Sequence, residues 1–353
     1  MMNETQENVM EKAGMARFLL SRPVDCAGSS SDSCTLPRTK IVIVGSGPVG
    51  VAVAVGLLFK RLAAELILMD ENPEMARAEA EDIAAAAVFL GSPKIRASTD
   101  YSEARDATLC VIAAGRQQRD EADAEAVLQQ NALLLKELVP SLTKYAPNSV
   151  LLVVSEPVDV LSHLAMKLSG FPSQRVLGLG TLLDNCRLQH ELAKELGVNQ
   201  AAVHSMVIAE SGPTSVPIWS AASVMGMKLK DIDKDIGDPE GFAAALHAKV
   251  VNCNRELIRR KGQHCWAAAL CTCEIIDAIV RNTCACLTVS TFVKGCRHGL
   301  EKDVFASLPC VLGRGGVLAY MRHLYTPEEQ ELTSRSCRRI YEAQKSVLGR
   351  LEE

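Results

Sequence analysis

No run in these 353 residues approaches the roughly 20 apolar positions that a helix needs to cross a bilayer. The alanine-rich patch at 84–90 is too short, and it lies inside a helical pattern. The chain also lacks a basic field, with 38 Lys and Arg against 42 Asp and Glu and a formal net charge of -4. That balance excludes whole-surface attraction to nucleic acid or an anionic membrane, so an anionic ligand must be held by local groups. The first residues, Met1-Met2-Asn3-Glu4-Thr5-Gln6-Glu7, lack the basic-then-apolar pattern of a secretory leader and the arginines of a transit peptide. The expectation is a cytoplasmic protein whose thirteen cysteines are mostly reduced.

Metal-ligand spacing is missing too. Cys271 and Cys273 form one Cys-x-Cys pair and Cys284 and Cys286 another. The first pair falls in a helical stretch, where a spacing of two turns side chains about 200° apart, so the two cannot chelate one ion. No metal is expected. No internal repeat is visible either.

What is present is an ordinary globular composition, 48% apolar and 23% charged, long enough for two packed lobes each with its own core. Residues 1–38 carry a Ser-rich polar run without periodicity and read as an arm. From residue 39 short apolar strands alternate with helices. Strands are predicted at 40–44, 65–69, 108–113 and 150–154, with helices at 48–62, 72–90, 125–144 and 158–168. This is the pattern of a doubly wound parallel sheet, an α/β domain over 39–183. Beyond it, over 184–353, strand-like segments at 203–208, 288–293 and 306–312 lie among longer helices. The last helix, 327–351, opens with Thr326-Pro327 as cap and first position. This half reads as an α+β lobe that completes a cleft with the first.

The first strand runs into Gly45-Ser46-Gly47-Pro48-Val49-Gly50, a G-x-G-x-x-G turn between strand and helix. Glycines at Gly45, Gly47 and Gly50 let the chain turn sharply, approach a pyrophosphate and pack helix on strand, and the helix N-terminus offers amide donors to phosphate. Asp70 ends the second strand twenty positions after Gly50, where a ribose-binding carboxylate belongs. Glu71 follows, and two carboxylates oppose a 2′-phosphate. The expected cofactor is NAD rather than NADP.

Four further blocks, Leu151-Leu152-Val153-Val154-Ser155-Glu156-Pro157-Val158-Asp159, Leu182-Leu183-Asp184-Asn185-Cys186-Arg187, Ser215-Val216-Pro217-Ile218-Trp219-Ser220 and Leu308-Pro309-Cys310-Val311-Leu312-Gly313, occur in order. With their spacing they resemble the animal L-lactate dehydrogenases, of the lactate/malate dehydrogenase family, over everything but the arm. The resemblance implies a Rossmann NAD-binding domain, to which Gly115 also contributes, and interconversion of pyruvate and lactate. It also implies a cytosolic homotetramer, with helix 72–90 as a subunit contact. In such chemistry a histidine gives a proton to the carbonyl while an aspartate orients it. One arginine holds the substrate carboxylate, and a second, on a mobile loop, polarises the carbonyl.

Carried over residue by residue, that machinery is incomplete. Asp184 and Arg187 stand at the orienting and carboxylate-binding positions. Ser211 stands where the proton donor belongs and Ala124 where the loop arginine belongs. Gln118 falls at the pyruvate-selecting position, or Gln117 with one residue of slippage. Glu156 replaces an asparagine that touches nicotinamide and substrate, and His264 replaces a small pocket threonine. His204, seven residues before Ser211, reads as a structural histidine. The resulting expectation is an NAD-binding relative, silent or very weak as a lactate dehydrogenase, forming homo-oligomers or mixed oligomers with active lactate dehydrogenase subunits. The alternative is an active oxidoreductase for an uncharged carbonyl, with His264 or Glu156 supplying the proton. Within the pocket, Glu156 is expected to reach the Arg187 guanidinium, and Asp184 to need a raised pKa or its own contact with Arg187 or His264.

Overall fold

In the computed structural model the described residues are 20–21, 39–117, 124–234, 236, 238, 240–294 and 303–352. Six short parallel strands form one half of the molecule: β1 Lys40–Val44, β2 Glu65–Met69, β3 Lys94–Ser98, β4 Leu109–Ile112, β5 Val150–Val153 and β6 Val176–Gly178. Their spatial order is β3-β2-β1-β4-β5-β6 and every neighbouring pair is parallel, the doubly wound arrangement expected. The central strands are covered on both faces, so apart from Lys40 at the start of β1 they are apolar and fully buried rather than alternating. Edge strand β3 is the exception, with sequence Lys-Ile-Arg-Ala-Ser and no fully buried residue.

Crossover helices follow the strands: α1 Pro48–Phe59, α2 Pro73–Ala85, α3 Ala124–Tyr145 and α4 Val158–Ser169. Helix α2 starts where Asn72 accepts from the Met75 amide with Pro73 as the next residue. It does not continue to residue 90 as the periodicity suggests. It ends at Ala85, and a separate 3-10 turn, Ala87–Leu90, closes on Gly91 in the left-handed region at φ 84°. The exposed Val88 and Phe89 lie on that turn, not on the helix.

The second half contributes α5 Leu182–Leu196, β7 Val207–Ala209, β8 Ser215–Pro217, α6 Phe242–Lys261, α7 Trp266–Val280, β9 Cys286–Val293, β10 Val304–Gly313, β11 Gly316–Met321 and α8 Pro327–Glu352. The segment expected as one strand at 203–208 is two: Val203–His204 pairs in a small three-stranded sheet, while β7 pairs with β8 and β10. His204 is exposed there and pairs with Ser223.

The two halves share one main sheet. Antiparallel β9, β10 and β11 join the parallel set where Ser290 pairs with Gly178, and with β7, β8 and the short strand Leu20–Ser21, which pairs antiparallel with β11, they give one continuous 12-stranded sheet among the described residues. One large core accordingly runs through both halves, from Ile41 and Leu109 to Ile276 and Phe305, with two small satellites in the second half. The physical reason is close approach at the junction. A Cβ on Gly178 would stand 2.5 Å from Ser162 Oγ and 2.9 Å from Ser290 Cβ, so glycine lets the two sheets merge.

Candidate functional site

The turn from β1 to α1 is held by its own glycines. Gly45 has φ +103°, a left-handed conformation, and a Cβ there would lie 2.6 Å from the Ala114 nitrogen. At Gly50 a Cβ would be 1.8 Å from the Gly45 carbonyl oxygen, so no larger residue permits this turn. No side chain caps α1, whose N-cap is Gly47, and the space where a Gly47 Cβ would project is open to 4 Å. Unclaimed first-turn amides facing open space suit a phosphate group. Asp70, at the end of β2, accepts from the Ser46 amide at 2.7 Å, the Ser46 hydroxyl at 2.8 Å and the Asn72 amide at 3.0 Å. Its carboxylate ties the glycine turn to β2, and the two oxygens keep acceptor capacity for a ribose hydroxyl. Glu71 beside it is exposed. These residues fit a dinucleotide.

Gly115, after β4, has φ +128° and is packed against Asn131 of α3, with a Cβ position only 2.6 Å from Asn131 Oδ1. Asn131 is fully buried. Its oxygen accepts from the Arg116 amide at 2.8 Å, and its nitrogen donates to the carbonyls of Arg116 at 2.9 Å and Glu156 at 2.7 Å. This side chain therefore joins the loop after β4 to the loop after β5. The sequence reading missed it, and its partners at 15 and 25 residues' separation leave no local signal.

Between the halves lies a cleft of about 520 Å³ lined by both. Gly115, Gln117, Ala124, Glu156, Asp184, Arg187, Ser211 and His264 all border it. Seven of the predicted positions thus meet in one place, with Gln117 at the alternative register. Gln118 lies outside the described residues. Gln117 donates from Nε2 to the His264 carbonyl at 3.1 Å. Ala124 begins α3 at the cleft edge and brings no polar group.

Asp184 and Arg187 occupy the first turns of α5, both largely buried. The Ser211 hydroxyl donates to Asp184 Oδ2 at 3.1 Å, and Arg187 Nη1 is 3.9 Å from Asp184 Oδ1. Burial pushes the Asp184 carboxyl up to about 6 despite the opposing pull of Arg187 and Ser211, with the charges of Glu156 and Glu210 adding to the rise. Ser211 is anchored from behind: its amide donates to Asp159 Oδ2 at 2.8 Å, and Ser290 Oγ donates to Asp159 Oδ1 at 2.5 Å. Asp159 is itself 3% exposed, and burial raises its carboxyl to about 7. Although it sits in a block that the sequence reading quoted, no role was given to it, because nothing local marks an aspartate in the first turn of α4 as buried.

The expected Glu156–Arg187 ion pair is not formed. Arg187 Nη2 donates instead to Asn254 Oδ1 at 2.5 Å, and Asn254 Nδ2 donates to Glu156 Oε1 at 3.2 Å. An amide from α6 therefore stands between cation and anion, satisfying each with its complementary end. Glu156 Oε1 lies 3.2 Å from His264 Nε2, a contact of charge and proximity without an aligned hydrogen bond. His264 Nδ1 has no hydrogen-bond partner among the described residues. Of the described residues bordering the cleft, His264 is the sole histidine, and it faces Glu156 rather than Asp184.

Cys271 and Cys273 point to different neighbours, Cys186 and the Val53 carbonyl. No described helix is long and apolar enough to cross a membrane.

Two family models match the chain in succession: lactate/malate dehydrogenase, NAD binding domain, over residues 39–178, and lactate/malate dehydrogenase, alpha/beta C-terminal domain, over residues 181–345. The chain is 38% identical to L-lactate dehydrogenase of Petromyzon marinus over 313 residues, 88% of this chain and 93% of the relative. It is 37% identical to the L-lactate dehydrogenase A chain of Danio rerio over 314 residues, 88% and 94% of the two chains. Identity to L-lactate dehydrogenase A-like 6A of Homo sapiens is 35% over 313 residues, with coverage of 88% and 94%.

Proposed function

The chain belongs to the lactate/malate dehydrogenase family, and from that premise we propose that it binds NAD(H) while reducing pyruvate very slowly or not at all. NAD(H) is the cofactor of this fold. When bound it supplies the hydride; what the chain must add is a proton donor, a carbonyl-polarising cation and a free carboxylate-binding cation.

The observation that carries the proposal is the Ser211–Asp184 contact. Asp184 accepts from a hydroxyl at 3.1 Å where the family reaction calls for an imidazole. A serine hydroxyl does not release its proton near neutral pH, and it gives Asp184 no cation to orient. Two features support the same reading. Ala124 offers nothing to polarise a carbonyl, and Arg187 is held by Asn254 at 2.5 Å, with Glu156 beyond it disfavouring a substrate carboxylate. Loss of a proton donor or an oriented charge each costs about two to four orders of magnitude in rate, though not additively.

On this reading the protein acts by binding NAD(H) and by assembly. It forms cytoplasmic homotetramers or mixed oligomers with active lactate dehydrogenase subunits, organised as an arm over 1–38, an NAD-binding domain over 39–183 and a substrate-type domain over 184–353. One observation favours a second reading, an active oxidoreductase for an uncharged carbonyl: the His264–Glu156 pair, 3.2 Å apart in the cleft, is a histidine–carboxylate combination able to hold a proton. Calorimetric titration with NADH, followed by turnover assays with pyruvate and with uncharged aldehydes and ketones, separates the two. Binding without turnover of either class supports the first. Turnover of neutral carbonyls that disappears in His264→Gln supports the second, and rapid pyruvate reduction contradicts both.

A further inference from the structure

One pair of side chains stands beside the cleft without lining it. Cys186 lies on α5 between Asn185 and Arg187, and Cys271 lies on α7, 85 residues later. Their sulfurs are 3.7 Å apart, with the Cys271 thiol donating to Cys186. Both are free thiols. They differ in access: Cys271 is 6% exposed, whereas Cys186 is only half-buried. A disulfide needs sulfurs about 2.05 Å apart, which requires an approach of under 2 Å between side chains that already face each other across two helices.

We propose that Cys186 and Cys271 form a reversible redox pair that, when oxidised, ties α5 to α7 next to Asp184 and Arg187. Hydroperoxides are the oxidant class. Cys186 is the attacking sulfur because it is the more accessible. The hydrogen bond from Cys271, followed by the nearby Arg187 charge, lowers its pKa, whereas that contact and burial raise the pKa of Cys271. In the first step the Cys186 thiolate attacks the peroxide, the O–O bond breaks, and the departing oxygen takes up a proton to leave as water or alcohol. Cys186 is then a sulfenic acid. In the second step the Cys271 sulfur attacks Cys186, the S–OH bond breaks, and that oxygen leaves as water with the Cys271 proton. In sum, two thiols and one hydroperoxide give one disulfide, one water and one further water or alcohol. A dithiol reductant reverses the reaction by exchange.

The consequence for the site follows from position. Asp184, Cys186 and Arg187 share the first turns of α5, so a covalent tie at Cys186 restrains the turn that carries the cleft's acid and cation. The neighbouring Cys273 sits near Gly56 of α1, with its thiol directed to the Val53 carbonyl at 3.6 Å, and is outside the pair. This inference concerns the thiols alone and holds whether or not NADH is turned over.

The test uses the full chain, treated with hydrogen peroxide under native conditions, alkylated, digested and analysed by mass spectrometry. The expected product is a cross-link between the peptides bearing Cys186 and Cys271, reversed by dithiothreitol. It should be absent from Cys186→Ser and Cys271→Ser, and retained in Cys273→Ser. Hydrogen exchange of residues 182–187 should slow at least fivefold on oxidation and recover on reduction. Should either single serine variant fail to fold, the remaining variants and the wild-type peptide map still decide. A cross-link to any other cysteine, a Cys186 that stays a thiol or accumulates as sulfinic acid, or unchanged exchange at 182–187 overturns the proposal.

Discussion

Replacing Asp159 by asparagine should make the protein progressively more stable than the wild type as pH rises. Asp159 is buried, accepts from the Ser211 amide and the Ser290 hydroxyl, and has its carboxyl raised from 3.8 to about 7, chiefly by burial. That rise corresponds to on the order of 4 kcal/mol of preference for the protonated form in the folded chain. Below about pH 4 the group is protonated in folded and unfolded chains alike and has no net effect. Between about pH 4 and 7 the folded chain holds a proton that the unfolded chain has released, so stability falls as pH rises, and the loss is complete above pH 7. Asp184, raised to about 6, acts with the same sign and interacts with Asp159. An asparagine at 159 accepts from Ser211 and donates to Ser290 without carrying a charge. Its stability relative to the wild type should therefore grow by roughly 3 kcal/mol from pH 5 to pH 8. Urea unfolding of both proteins at those two pH values, without cofactor, measures it. A constant offset between them would show that Asp159 does not titrate as a buried acid.

Gly50→Ala places a Cβ 1.8 Å from the Gly45 carbonyl oxygen and should weaken NADH binding at least tenfold in a fluorescence titration; affinity within twofold of the wild type argues against a phosphate site at this turn. NADH should bind more tightly than NADPH because Asp70 and Glu71 oppose a 2′-phosphate, and Asp70→Ser should narrow the gap; equal wild-type affinities sink the ribose assignment. Asn131→Ala removes three hydrogen bonds made by a fully buried side chain and should cost roughly 3 kcal/mol in urea unfolding, at about 1 kcal/mol for each bond lost.

The parallel half of the fold was legible because its strands are buried on both faces and so appear as unbroken apolar runs, Ile41–Val44 being one, with a glycine turn at the end. Edge strand β3, Lys94–Ser98, escaped because it is half-exposed and carries no such run, and β6, Val176–Gly178, escaped although buried because three residues are too short to form one. The split of 203–208 into two strands escaped for a different reason: strand propensity is continuous there, and only pairing partners distant in sequence, Ser223–Val224 for one piece and β8 and β10 for the other, divide it. In the cleft, the family resemblance carried over residue by residue named Glu156, Asp184, Arg187, Ser211 and His264, and all five border it. Charge logic then paired Glu156 with Arg187, but a carboxylate and a guanidinium can equally share an amide, and Asn254, 67 residues beyond Arg187, supplies it. Contacts of that separation leave no trace in a single sequence.

Single-turnover pyruvate reduction with saturating NADH, compared across the wild type, Ser211→His and the triple variant Ser211→His/Glu156→Asn/Ala124→Arg, tests the silenced-site account most directly. The account predicts negligible NADH consumption by the wild type, little by Ser211→His while Arg187 stays engaged through Asn254 and Glu156, and in the triple variant a gain far above the sum of the single changes. Wild-type pyruvate reduction within about tenfold of the triple variant, each tenfold being only 1.36 kcal/mol of barrier, would contradict it.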